Sequence, residues 1–166
     1  MAQIIDVYKQ TLPRVRFVGK CYTDSDRENG VFANKWREWW QSGWFDLLDA
    51  GGDEPFADAG APIGLCRSKD GEEFEYWIGR FLPEDSKVPE GFRYIDFDAS
   101  EIAVCLVKGK EPDIYFVCCM DKLKENGFTW KADENGVRWC FERYACPRYT
   151  DPGADGSVIL DQCFFV

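Results

Sequence analysis

Glu142 is the side chain with the most chemical potential in this chain. It stands in the run Trp139-Cys140-Phe141-Glu142-Arg143-Tyr144, whose neighbours are mostly apolar or aromatic. If the run is a strand, alternation puts Glu142 and Tyr144 on one face and Phe141 and Arg143 on the other. A carboxylate on an apolar strand face loses hydration unless something compensates. It either stays ionised and attracts a cation stacked among rings, or its pKa rises and it becomes a usable acid or base. The structural alternative is a Glu paired to a nearby arginine such as Arg138 or Arg148.

A second candidate is Phe74-Glu75-Tyr76-Trp77-Ile78-Gly79. Here Tyr76 points to one face of a strand, and Glu75 and Trp77 to the other. Gly79 inside a strand permits close approach of another backbone or of a ligand. Spacing does not decide which face meets a groove. The third aromatic concentration is a stripe at helical spacing: Phe32, Trp36, Trp39, Trp40, Trp44, Leu47 and Leu48, with Lys35, Arg37, Glu38 and Gln41 between them. Such a stripe is core in most helices. Four indoles on one helix nevertheless offer more ring area than packing requires, so Trp36, Trp39 and Trp40 join Tyr76 and Trp77 as candidate ligand contacts.

Composition narrows the chemistry. The 166 residues contain no histidine, which excludes Ser-His and Cys-His nucleophilic machinery within the chain and removes the commonest metal ligand. Eight cysteines occur, none in a Cys-x-x-Cys pair, so neither metal nor cofactor is expected. The spaced carboxylates of Asp151 to Asp155 lack the EF-hand pattern, and no Gly-rich phosphate loop is present. A net charge of −10 repels nucleic acid and anionic membranes and steers cationic ligands or basic protein partners. The N-terminal run Met1-Ala2-Gln3-Ile4-Ile5-Asp6 lacks signal-peptide features, and no apolar stretch reaches membrane-spanning length. The expected setting is cytoplasmic, with reduced thiols acting as small core residues.

The elements that must position these residues follow from periodicity. Val15 to Tyr22 reads as a strand, and Phe32 to Leu48 as an amphipathic helix bent near Ser42-Gly43. A loop from Ala50 to Pro62 precedes strands Ile63 to Arg67 and Phe74 to Leu82, joined at Asp70-Gly71, a hairpin signal. After a Pro83 to Gly91 linker the order repeats. Phe92 to Phe97 and Ile102 to Val107 are β runs. Pro112-Asp113 starts a helix from about Ile114 to Glu125, with Phe116, Cys119, Met120 and Leu123 as its apolar stripe and Asn126-Gly127 as its stop. Val137 to Cys146 and Val158 to Val166 close the chain. The expected architecture is α+β, a single domain of two strand-helix-strand-strand modules, about 14–82 and 92–166. Together they form a curved antiparallel sheet with two main helices and a ligand groove between the halves.

Several segments also resemble a known family. Tyr76-Trp77-Ile78-Gly79, Val88-Pro89-Glu90-Gly91-Phe92, Ala103-Val104 with Val107-Lys108-Gly109, Phe141-Glu142-Arg143-Tyr144 and the last strand from Val158 look, in this order, like the GyrI-like superfamily. That superfamily includes the effector-binding domain of bacterial transcription activators. The likeness runs from about Val15 to Val166. It implies the duplicated module, an aromatic groove for diverse small molecules, often hydrophobic cations, and a buried acidic group at the position of Glu142. Some stand-alone members look like hydrolases of strained, alkylating natural products, and one founding member restrains DNA gyrase. No helix-turn-helix is legible ahead of the first expected strand, so direct DNA contact is not expected.

Three functions follow as expectations. The first is a stand-alone module for aromatic, cationic or xenobiotic ligands, with Glu142 supplying charge, Tyr144 a hydrogen bond and the tryptophans stacking. The second is a hydrolase of electrophilic, cyclopropanoid-type compounds using Glu142 with Tyr144 or Tyr76. The third is a gyrase-type inhibitor acting through a protein partner. Ligand identity and oligomeric state are not legible.

Overall fold

The computed structural model describes residues 1–49 and 54–166. The first four residues of the expected Ala50 to Pro62 loop lie outside the described residues. The elements in chain order are β1 (Gln3–Leu12), β2 (Val15–Thr23), α1 (Ala33–Ser42), β3 (Ile63–Ser68), β4 (Glu75–Pro83), β5 (Arg93–Phe97), β6 (Ser100–Gly109), α2 (Met120–Glu125), β7 (Arg138–Arg143) and β8 (Val158–Phe165).

The strands form one antiparallel sheet in the order β1-β6-β8-β7-β3-β4-β2-β5. Exchanging β1–β4 for β5–β8 strand for strand reverses this order: β1 is added beside β6 at one edge, and β5 beside β2 at the other. Only Pro13 and Arg14 link β1, at one edge, to β2, next to the opposite edge. Asp98 and Ala99 link β5 to β6 in the same way. Two residues cannot cross a flat eight-stranded sheet, so the sheet must curl until its edges approach. Leu12, Val15, Phe97 and Ile102, which flank these links, accordingly share one buried cluster on the inner face with Phe17, Leu65, Trp77, Phe81 and Phe141. The outer face carries the helices. α1 covers Val18, Tyr22, Tyr76 and Ile78 of β2 and β4. α2, with the 3-10 turn Asp113–Phe116 ahead of it, covers Ala103, Cys105, Leu160 and Phe164 of β6 and β8. Between the two helices lie β3 and β7, at the centre of the sheet.

Three sequence expectations need correction. β1 forms ahead of Val15, the start of the first expected strand. The register shifts between Ile4 and Asp6 opposite Val107 and Leu106, so Ile5 is the extra residue of a bulge and the two isoleucines are compatible with one strand. The first helix ends rather than bends at Gly43, whose left-handed backbone (φ 66°) caps it with bonds to the Trp39 and Trp40 carbonyls. Beyond it only a short 3-10 turn, Asp46–Leu48, follows, and Trp40 and Leu47 are each 59% exposed. The second helix is interrupted: Val117 is extended, α2 starts at Met120, and Phe116 is 72% exposed instead of belonging to an apolar stripe. The run Ile114-Tyr115-Phe116-Val117-Cys118-Cys119 consists of β-branched, aromatic and cysteine residues, all modest helix formers. No helix among the described residues is long and apolar enough to cross a membrane.

Candidate functional site

Glu142 lies on β7 opposite Gly64 of β3, on the helix-bearing face, in the gap between α1 and α2. Its Oε2 accepts two hydrogen bonds, from the Tyr144 hydroxyl at 2.8 Å and the Tyr76 hydroxyl at 3.0 Å. Tyr144 reaches it as the i+2 neighbour on the same face, its own backbone N–H bonded to the Pro62 carbonyl ahead of β3. Tyr76 reaches it from β4 across β3. Gly64 makes that crossing possible: a Cβ there would overlap the Tyr76 hydroxyl and stand 3.1 Å from Oε2. Above them sits Trp36 of α1, whose indole N–H donates to the Tyr76 hydroxyl at 3.0 Å and whose ring stands edge-on to Tyr144 with centroids 4.7 Å apart. Phe32 stacks on the Tyr76 ring with centroids 4.4 Å apart.

Burial pushes the Glu142 carboxyl above the usual carboxylate range, and the two tyrosine hydroxyls pull it back in part. Among the described residues no lysine or arginine offsets its charge, and nothing donates to Oε1. The pairing anticipated with Arg138 or Arg148 does not occur. Arg148 lies on the inner side of the sheet, bound to Asp161 and Asp58, and Arg138 is exposed. Burial and the Glu142 charge push the Tyr76 and Tyr144 hydroxyls well above the ordinary phenol range, so they remain donors. Cys140 and Cys66 face each other in register beside Glu142. The neighbouring Cys140 thiol, together with burial, pushes Cys66 well up, so it is an unreactive part of the floor.

Of the residues singled out in the sequence, Glu142, Tyr144, Tyr76 and Trp36 come together here. Trp39 is fully buried in the core beneath α1 and donates to the Tyr22 hydroxyl at 2.9 Å. Trp40 lies on the exposed side of α1, tilted over Phe45. Trp77 is on the opposite face of the sheet, edge-on to Phe17 and beneath the Arg93 guanidinium. Gly79 serves backbone approach, because its missing side chain makes room for the Val18 carbonyl of β2. Periodicity did not point to Gly64, Tyr115, Tyr149 or Glu111. Tyr149 stands edge-on to Tyr144 at 4.7 Å and shares a 2.7 Å hydrogen bond with Tyr115. Gly64, like Gly79, is a glycine inside a strand, and that is its signal in the sequence. Tyr115 and Tyr149 belong to turns, where side-chain direction has no period.

Among the described residues no cluster of acidic or cysteine side chains could hold a metal ion. The arrangement is an aromatic cage around one uncompensated carboxylate, capable of binding a cation or of moving a proton.

No model of a protein family and no curated protein matches the chain. Solved structures do. SAV2435 bound to tetraphenylphosphonium is similar with a TM-score of 0.65 and 18% identity, over 98% of this chain and 94% of that one. A Staphylococcus aureus MU50 protein described as a candidate bacterial transcription regulation protein is similar with a TM-score of 0.58 and 17% identity, over 98% of both chains. At these identities the likeness is one of fold.

Proposed function

We propose that this chain is a small-molecule-binding protein that holds an aromatic cation in the groove between α1 and α2, with Glu142 as its counter-charge. The observation that carries the reading is the state of Glu142: a partly buried carboxylate at the centre of the sheet, ringed by aromatic side chains, with no cation beside it among the described residues. Folding bears the cost of desolvating this charge, and a bound cation offsets it. The partly buried rings of Trp36 and Tyr144 supply faces for cation–π contact and stacking, and the buried Tyr76, stacked by Phe32, contributes its hydroxyl to Glu142. The net charge of −10 draws cations toward the surface. The sequence resemblance to GyrI-like domains and a fold shared with a tetraphenylphosphonium-bound protein support the same reading.

The test is calorimetric titration with tetraphenylphosphonium, paired with tryptophan fluorescence. Saturable binding is expected, weakened at least about tenfold in Glu142→Gln. Unchanged affinity in that variant counts against the site. A second reading has one specific observation in its favour: the carboxyl pushed upward and held by two phenols resembles a general acid or base. Mass spectrometry of mixtures with strained electrophiles tests it. A hydrolysed product formed by the wild type but not by Glu142→Gln, with compound binding retained, is the result that favours the hydrolase.

A further inference from the structure

We propose that the groove is fitted to elongated aromatic dications, with Glu111 as a second carboxylate that selects them. This rests on the reading of Glu142 as a cation's counter-charge. Glu111 follows β6 and lies at the exposed rim beside the 3-10 turn that precedes α2. The Tyr149 hydroxyl donates to its Oε1 at 2.7 Å. With that proton committed, the 2.7 Å contact between Tyr115 and Tyr149 has Tyr115 as donor, so both phenols point their hydrogen bonds toward Glu111. The Tyr149 ring in turn stands at 83° to the Tyr144 ring, 4.7 Å away, and Tyr144 donates to Glu142.

The result is one continuous row: carboxylate, phenol, phenol, carboxylate. Its inner end is desolvated and its outer end faces water. Neither carboxylate has an ion-pair partner among the described residues, whereas Asp161, Asp58, Asp96 and Glu72 are all paired with arginine. A monocation at Glu142 leaves the outer end unused. A flat molecule with a cationic group at each end, joined by rings or a short chain, meets a counter-charge at both ends and lies along the tyrosines between them. Its second contact is intramolecular once the first is made, so affinity depends on spacer length.

The experiment titrates a series of bis-ammonium aromatic compounds of increasing spacer length against the wild type, Glu111→Gln and Glu142→Gln, with tetraphenylphosphonium as the single-charge probe. Affinity is expected to peak at one spacer length. Glu111→Gln, at an exposed position, should weaken that compound by up to about fivefold at low salt. It should leave tetraphenylphosphonium unchanged, and the difference should fade as salt rises. If Glu111→Gln binds every dication as the wild type does while Glu142→Gln loses them all, the second carboxylate is refuted and the first is retained. If no cation binds the wild type, both readings fall.

Discussion

Tyr76 and Glu142 meet across a strand that neither belongs to: the hydroxyl from β4 passes over β3 to donate to the carboxylate on β7 at 3.0 Å. The contact joins the two halves of the sheet at its centre. It exists because Gly64, directly opposite Glu142, has no side chain to occupy the space between them. One hydrogen bond thereby connects a strand under α1 to the carboxylate beside α2, and Trp36 extends it into α1 itself.

Gly64→Ala therefore has a defined outcome. The added methyl would displace the Tyr76 hydroxyl and crowd Oε2, with a destabilisation of about 1–3 kcal/mol expected for overpacking. Because Gly64 does not lie in the left-handed region, the cause would be steric and not backbone strain. Thermal unfolding would report the lower Tm. A tetraphenylphosphonium titration of the folded variant would report weaker binding. A variant with wild-type Tm and wild-type affinity would mean that Tyr76 does not need this path.

Glu142 predicts a pH dependence of known sign. Its folded-state pKa is raised by burial, so the folded protein holds this proton more tightly than the unfolded chain does. Its contribution to stability is complete below the unfolded carboxyl pKa and is lost as pH rises through the raised value. Cation affinity runs the other way, growing as the carboxyl ionises over the same range. Glu142→Gln should remove both slopes. Denaturant unfolding and ligand titration across the acidic range, on wild type and variant, check the two together; parallel curves for the two proteins would place the titration elsewhere.

The chemistry of this centre was more legible in the sequence than its geometry. Alternation alone put Glu142 and Tyr144 on one face, since strand period holds wherever a strand forms, and the same rule set Tyr76 apart from Trp77. It could not show that Tyr76, on another strand, shares that face, because cross-strand register depends on the order of the whole sheet. The helical period from Phe32 to Leu48 overruns the helix for a related reason. A period of 3.6 continues on paper past Gly43, but the backbone turns left-handed there, and Trp40 and Leu47 end in solvent. β1 was hidden by one bulged isoleucine, and Tyr115, Tyr149 and Glu111 by belonging to turns or a strand end.

The tryptophans should separate by position. Trp36→Ala removes the ring above Glu142 and the donor to Tyr76, and is expected to weaken cation binding about tenfold. Trp40→Ala, on the exposed side of the same helix, should leave affinity unchanged. Trp39→Ala should cost about 3–5 kcal/mol of stability, as expected for a fully buried indole. If Trp40→Ala loses binding and Trp36→Ala does not, the groove lies on the other side of α1.

A last prediction concerns the inner face, where charge serves architecture. Asp161 and Arg143 are both fully buried. Arg143 donates to Asp161 at 2.7 Å and to Gln10 of β1 at 2.9 Å, and Arg148 binds both Asp161 and Asp58. The network thus fastens β1, β7, β8 and the segment around Asp58 where the sheet curls. Asp161→Asn leaves buried guanidinium without its counter-charge, and a loss of about 3–5 kcal/mol is expected. Replacing Arg143 and Asp161 together by Met and Leu should cost less than Asp161→Asn alone, because no uncompensated charge remains between the pair. Cation affinity of the folded fraction should be the same in all of these variants, since the network and Glu142 lie on opposite faces of the sheet. Denaturant unfolding measures the first effect and calorimetry the second. A large change in affinity with little change in stability would mean that the inner face belongs to the binding site.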